Sequence, residues 1–307
     1  MIIVFGSLNV DMVLPVEMLP RPGNIVLCEE YKLLPGGKGA NQAVAAAKAG
    51  AKVKMFGSIG NDSFAQIARH FLEKTNVDIS ALTISERPTG CATICVDSTG
   101  ENMITIASGA NLEASSATIP DDLLTEKSTV LLQMEVPPEE NWKLIERAKQ
   151  KKARIILNLA PAQPISDKLI QSLDVLVMNQ IEATVLALHL GFDVISPAIA
   201  ARRLSSKYGI TCIVTLGADG AFACNPLGTW FVQALPIKPV DTTAAGDAFV
   251  GVFAAAFDKG LPIDQALRRA AVASSLACLT VGAQPSLPDS QQIEASLSRI
   301  PTPRRST

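Results

Sequence analysis

Short runs of consecutive apolar residues recur at 2–5, 53–57, 130–134, 155–157, 175–178 and 213–216, separated by longer stretches, several rich in alanine. Runs of that length without polar alternation predict strands buried on both faces, and the stretches at 40–49 and 63–74 predict helices. Strand and helix alternating in this order predict a parallel sheet covered by helices on both sides. Two stretches, at about 11–34 and 89–106, break the pattern: residues alternate or are β-branched, with no intervening helix. They predict extra strands, in a small separate sheet. The first lies between the opening strand and a glycine-rich turn, which places a lid over whatever the turn holds; a plain β excursion is the other reading. No internal repeat or low-complexity linker divides the chain. Residues 1–300 are therefore expected to form one main domain with the lid strands inserted in it.

Composition narrows the chemistry. The 307 residues are 48% hydrophobic and 18% charged, enough for a sizeable core. A net charge of −2 offers no global attraction to nucleic acid or an anionic membrane. Arg299, Arg304 and Arg305 form a small basic tail, and 301–307 is expected to be disordered. The six cysteines lack CxxC pairs, unlike a disulfide scaffold or zinc cluster, and fit buried free thiols in a reducing cytoplasm. On one strand, Cys91 and Cys95 would share a face about 13 Å apart, too far for a bond. Only His70 and His189 exist, which excludes a multi-histidine metal site and leaves few ways to build a Ser-His-Asp triad. No basic segment precedes the apolar start and no eighteen apolar residues occur in succession, so neither a signal peptide nor a membrane span is expected. Carboxylates and backbone amides are left to carry the chemistry.

Three clusters could do so. Gly36-Gly37-Lys38-Gly39-Ala40-Asn41-Gln42 opens an Ala-rich helix, where glycines let a backbone approach a ligand and the helix start offers unpaired N–H groups. It is neither a nucleotide P-loop, since Leu33 and Gly39 stand where Gly and Ser or Thr are needed, nor a Rossmann fingerprint, since position 42 is Gln. A plain structural turn is the alternative. The second cluster, Asp241-Thr-Thr-Ala-Ala-Gly246-Asp247, precedes an apolar segment at 248–257. Small residues at 244–246 put several amides at a helix start, suited to a phosphoryl group gathering charge in transfer. Asp247 at its edge could take a hydroxyl proton; equally, it could cap its own helix. The third set, Asn9, Asp11, Glu135, Asn179 and Glu182, follows apolar runs, where the carboxyl ends of parallel strands gather ligands. Asn9 and Asp11 can accept from and donate to vicinal sugar hydroxyls. Each, taken singly, also reads as a loop residue or a cap.

Taken in order, GSLNVD, GGKGANQAV, NQIE, TLGADG, DTTAAGD and GAQPS resemble the PfkB-type carbohydrate kinases, from about residue 2 to 288, with the second and last favouring the ribokinase branch. That resemblance implies a three-layer α/β/α domain with a central, mostly parallel sheet and a small β-sheet lid, through which such kinases pair as homodimers. It implies transfer from ATP to O5 of D-ribose, with Asp247 as general base and Ala244, Ala245 and Gly246 as an anion hole. By similarity, Asn9, Asp11, Gly37, Lys38, Asn41 and Glu135 would bind the sugar. Asn179 and Glu182 match the N-x-x-E motif, which acts on Mg²⁺ and phosphates through water. Thr215, Gly217 and Gly220, with Gly246, would hold ATP. Asp241, Thr243, Ala277, Thr280, Gly282 and Ser286 match positions enclosing an activating K⁺, several through carbonyl oxygens. Ala271 departs from a polar side chain common beside the adenine, which implies relaxed base selectivity, and Ala107 replaces a larger lid residue. A related kinase for deoxyribose, fructose or a nucleoside is the nearest alternative, and a non-catalytic sugar sensor the more distant one.

Overall fold

The apolar runs become the parallel strands of a sheet. A computed structural model describes residues 1–192 and 196–306. Along the chain, β1 (Ile2–Phe5), β2 (Asn9–Pro15) and β3 (Lys32–Gly36) are followed by β4 (Val53–Phe56), β5 (Ser58–Gly60), β6 (Thr83–Ser85), β7 (Gly90–Val96) and β8 (Asn102–Ala107). Then come β9 (Thr129–Leu132), β10 (Arg154–Asn158), β11 (Val175–Asn179), β12 (Thr211–Thr215), β13 (Ala221–Asn225), β14 (Gly228–Val232) and β15 (Arg304–Ser306). The helices are α1 (Lys38–Lys48), α2 (Ser63–Lys74), α3 (Pro138–Gln150), α4 (Asp167–Ile170), α5 (Gln180–His189), α6 (Pro197–Tyr208), α7 (Ala245–Asp258), α8 (Ile263–Ala277), α9 (Ala283–Ser286) and α10 (Ser290–Ser296).

Nine strands pair in the order β15-β14-β13-β12-β11-β10-β9-β1-β4. From β4 to β12 every pairing is parallel, and from β12 to β15 every pairing is antiparallel. Alternation along a strand sends successive side chains to opposite faces. Ile2 and Val4 of β1 accordingly join a core with Val44, Leu72, Phe253 and Leu267 of α1, α2, α7 and α8, whereas Ile3 and Phe5 join Leu144, Leu186 and Leu204 of α3, α5 and α6. Both faces being dry explains why these strands read as unbroken apolar runs.

The two stretches that broke the alternation form the separate sheet β3-β2-β7-β8, in which β2 and β7 run parallel and the outer pairs antiparallel. Its extent differs from the sequence reading: residues 16–31 contain no strand, and Ile25 and Leu27 in that connection are exposed. A further small sheet pairs β5 with β6. Of the segment 301–307, expected to be disordered, residues 304–306 form β15, with Arg305 opposite Trp230, and residue 307 lies outside the described residues. A three-residue polar strand has no periodicity to reveal it; it forms because β14 otherwise presents an unpaired edge. The cysteines are all free, as read, but Cys28, Cys91 and Cys95 are half-buried, on or near the exposed small sheet, and only Cys212, Cys224 and Cys278 are buried. No helix among the described residues is long and apolar enough to cross a membrane.

Candidate active site

Because β1, β9, β10, β11 and β12 run the same way, their carboxyl ends bring polar residues to one edge: Ser7 and Asn9, Gln133 and Glu135, Asn158, Asn179 and Thr215. The starts of α1, α5 and α7 open there too. Three cavities of about 620, 240 and 100 Å³ run along this edge, the first two sharing Lys38 and Glu182 and the last two sharing Thr215 and Gly246. They form one trough from beneath the lid to the β12 loop.

At the lid end, Asn9 begins β2 and its Oδ1 accepts from Asn111 Nδ2 at 2.7 Å. Asn111 also accepts from the Leu8 amide at 2.9 Å and donates to the Leu8 carbonyl at 3.2 Å, clamping the turn between β1 and β2. Asp11 follows on the same face of β2. A Cβ on Gly36, which pairs with Asn9 across β2 and β3, would lie 2.3 Å from the Asp11 carboxylate oxygens, so only glycine is tolerated there. Gly37 turns the chain into α1 at φ +88°, a left-handed conformation that favours glycine. Lys38 opens the helix, and its amide donates to Glu135 Oε2 at 3.0 Å, the same oxygen that Ser7 Oγ meets at 2.6 Å.

This crowding sets the charge states. Burial, then the neighbouring Glu135 and Asp247, push the Asp11 carboxyl up to about 7 despite Lys38. Burial works against the Lys38 ammonium, yet Asp247, Glu135, Glu182 and Asp11 together outweigh it and hold its pKa above the ordinary lysine value. One fixed cation thus sits among four carboxylates where the first two cavities meet.

At the centre, Ala244 is the N-cap of α7 with φ +57°, a strained position for a residue with a Cβ. The Ala245 amide is already donated to the Thr242 carbonyl at 3.2 Å, and the Ala248 amide to that of Ala244 at 2.8 Å. Among the described residues, the Gly246 and Asp247 amides have no backbone partner and are left at the positive end of the helix. Asp247 is not the N-cap but lies in the first turn of α7, where the helix dipole favours an acid, and its carboxylate bonds to α1, Oδ2 accepting from Asn41 Nδ2 and Oδ1 from Gln42 Nε2, both at 2.9 Å. These amides reach because the helices nearly touch at Gly251, where a Cβ would lie 2.5 Å from the Gln42 carbonyl oxygen.

Toward the far end, Asn179 and Glu182 form a reciprocal capping box on α5, Asn179 Oδ1 accepting from the Glu182 amide at 2.9 Å and Glu182 Oε2 from the Asn179 amide at 2.7 Å. The cap and site readings of this pair are therefore compatible. Burial raises the Glu182 pKa, offset in part by the Asn179 amide and Lys38. Thr215, Gly217, Gly220 and Ala271 line the smallest recess together with Gly246. Behind it, Asp241 accepts from the Thr243 amide and the Gly282 amide, each at 2.8 Å, tying its loop to the segment after α8. Ala277 ends α8, Thr280 is exposed, and Ser286 Oγ donates to the Ala283 carbonyl at 2.8 Å. Carbonyl oxygens at a helix C-terminus beside one carboxylate make a hard-oxygen donor set, which fits K⁺. Among the described residues no cluster of three or more His, Cys, Asp or Glu could hold a metal.

The structure thus brings Asn9, Asp11, Gly37, Lys38, Asn41, Glu135, Glu182 and Asp247 together and sets the 241–286 positions behind them. Sequence reasoning missed Ser7, Asn111, Gln133 and Asn158, and it passed over Gln42 inside a motif it had singled out. Gln42 carried a signal, an amide followed by the apolar run AVAAA; Asn111 carried none, since its partner is about a hundred residues away.

Comparison with known proteins places the chain in a family. Residues 1–290 match the model of the pfkB family carbohydrate kinases. The ribokinase of Haemophilus influenzae is 34% identical, covering 94% of this chain and 95% of that one, and the ribokinase of Bacillus subtilis is 34% identical over 97% and 99%. Among solved structures, ribokinase from Thermotoga maritima superposes with a TM-score of 0.90 at 35% identity, covering 97% of this chain and 99% of that one. Arabidopsis thaliana ribokinase, complexed with ribose and ATP, superposes with a TM-score of 0.86 at 31% identity over 96% and 98%. With the family model covering nearly its whole length, the chain belongs to the pfkB family of carbohydrate kinases.

Proposed function

We propose that this chain is an ATP-dependent kinase that phosphorylates D-ribose at O5, giving D-ribose 5-phosphate and ADP. The observation that carries it is the trough itself: Asp247 stands between a polar, polyol-sized pole and the unpaired amides at the start of α7. Asn9, Asp11 and Glu135 offer acceptors to sugar hydroxyls, and Gly37, Lys38 and Asn41 close the pole from α1. The O5 proton passes to Asp247 as O5 bonds to the γ-phosphorus. The bond from that phosphorus to its bridging oxygen breaks, and ADP leaves with the electron pair. Charge gathering on the transferred group meets the amides of Gly246 and Asp247, beside Ala244 and Ala245, and the Lys38 ammonium. ATP would lie along Thr215, Gly217 and Gly220.

Asn179 and Glu182 would hold Mg²⁺ through water, which supplies charge neutralisation between the phosphates. Asp241, Thr243, Ala277, Thr280, Gly282 and Ser286 would enclose K⁺, whose binding would brace the loop leading into α7. The exposed Met103, Ile104 and Ile106 of β8 support pairing of two chains through the lid, which sedimentation equilibrium would test. The six cysteines without CxxC spacing support a reducing cytoplasm.

The deciding experiment is ADP release from Mg-ATP with D-ribose, 2-deoxyribose, fructose and adenosine in parallel, with and without potassium. Turnover that prefers ribose and rises with potassium is the expected result. Preference for another acceptor would overturn the substrate, and no turnover with any would overturn the kinase reading in favour of a sensor. Because Ala271 places a methyl group where the recess needs a polar contact to select a base, GTP is expected to replace ATP at comparable kcat/KM.

A further inference from the structure

Beneath the trough runs a chain of buried amides that the reaction as described does not use. Gln42 is fully buried, and its three bonding groups are all engaged. Nε2 donates one hydrogen to Asp247 Oδ1 and the other to Asn158 Oδ1, both at 2.9 Å, and Oε1 accepts from Gln133 Nε2 at 2.8 Å. The orientation is forced: an ionised carboxylate only accepts, so the amide nitrogen must face Asp247 and the oxygen must face Gln133. The outer members are anchored in turn, Asn158 Nδ2 on the Val177 carbonyl at 3.2 Å and the Gln133 carbonyl by Asn141 Nδ2 at 2.7 Å. The chain therefore ties the ends of β9, β10 and β11, through α1, to one oxygen of a carboxylate on α7.

Such a chain is costly, because an unpaired buried amide group loses its hydration without replacement, and here Gln133 Oε1 and Asn141 Oδ1 are buried without a partner. Apolar residues would pack α1 against the sheet without that risk. What the amides add is direction: Asn41 and Gln42 each occupy one carboxylate oxygen, fixing the plane of the group and which lone pairs remain to face the acceptor cavity. We infer that Gln42, clamped by Gln133 and Asn158, is a positioning residue that aims the Asp247 carboxylate at the sugar hydroxyl. This rests on the reading of Asp247 as the base. Neither Asn41 nor Gln42 lines the three cavities; the two differ in that Asn41 Oδ1 has no protein partner, whereas every bonding group of Gln42 is engaged within the protein.

The test is Gln42→Met, close in volume, assayed for kcat, both KM values and the pH profile of kcat. Misaiming a base by a fraction of an ångström is expected to lower kcat about 10- to 100-fold while KM for ribose and for ATP changes less than about threefold. Loss of a donor to the anionic carboxylate also moves the acid limb of the profile to higher pH. The charged groups facing Asp247 from the other elements, Lys38 on α1, Asp11 on β2, Glu182 on α5 and Glu135 after β9, are untouched by the substitution, so the shift reports on Gln42. In an Asp247→Asn background the same change should add no further loss. An unmoved acid limb overturns the inference, whether kcat is retained or falls, and so does an equal loss in both backgrounds. Should Gln42→Met not fold, Gln133→Met removes the clamp while leaving the Gln42 donor on Asp247; kcat should then fall about three- to tenfold with both KM values within about threefold, and an unchanged kcat there overturns the inference equally. Retained turnover in Asp247→Asn alone would instead reject the base reading, a separate outcome.

Discussion

Asp247 and Asp11 are both buried aspartates beside Lys38, yet their surroundings suit them to opposite tasks. Asp247 receives an amide donor on each oxygen. Asp247→Asn is expected to lower turnover by roughly 10²–10⁴ with ribose binding largely kept, measured by ADP release and calorimetry; unchanged kcat would exclude it as the base. Asp11 is crowded by Glu135 and Asp247, so its folded carboxyl titrates near 7 rather than near the ordinary value of about 3.9. Between those pH values the folded chain keeps a proton that the unfolded chain has released, so stability falls as pH rises through the window and is flat above it. The cost above pH 7 is on the order of 4 kcal/mol. Asp11→Asn should therefore raise the melting temperature most at pH 8 and hardly at all near pH 4, while weakening ribose binding about 10- to 100-fold. A stability gain that does not depend on pH would disprove the assignment. At this scale the sequence was legible where a residue stood beside a glycine-rich turn or at the end of an apolar run, as Asn9, Asp11, Asn41 and Asp247 do. It was silent at Asn111, Gln133 and Asn158, whose roles depend on partners brought near only by the finished sheet.

Elements place these residues, and one residue can serve both its element and the site. Glu182 closes the capping box of α5 and also faces the two larger cavities. A glutamine can close the same box, so the two duties separate. Glu182→Gln is expected to keep the melting temperature within a degree or two while lowering kcat/KM for Mg-ATP. Glu182→Ala should lose about 1 kcal/mol of stability as well. Equal kinetic constants for Gln and wild type would confine Glu182 to capping. The elements themselves were readable to the extent that their periodicity was strong: α2 coincides with the expected 63–74, and the six parallel strands fall within two residues of their apolar runs at each boundary. Starts and stops of α1 and α7 were less so, because their first residues are Lys38, Gly39, Ala245 and Gly246, which carry no apolar periodicity and include glycines of low helix propensity.

Across the molecule the sheet separates duties by strand order. The largest cavity opens beside the ends of β1 and β9, the second at β11 and α7, and the smallest at β12, beyond which β13, β14 and β15 extend the frame without lining any of them; on the proposed reading these take the sugar, the phosphates and the nucleotide in turn. That ordering makes the last strand dispensable for chemistry but not for solution behaviour. β14 carries Phe231 exposed and would offer unpaired amides and carbonyls along its length without β15. An uncovered edge of that kind is a template for pairing with a second copy. Removing residues 304–307 is therefore expected to leave kcat and the KM for ribose unchanged. The shortened chain should associate more strongly with rising concentration, read by light scattering and sedimentation velocity, and melt a few degrees lower. If ribose turnover falls in proportion to the melting temperature, the far edge and the sugar pole are one cooperative unit, and the sheet does not insulate the site in the way its topology implies.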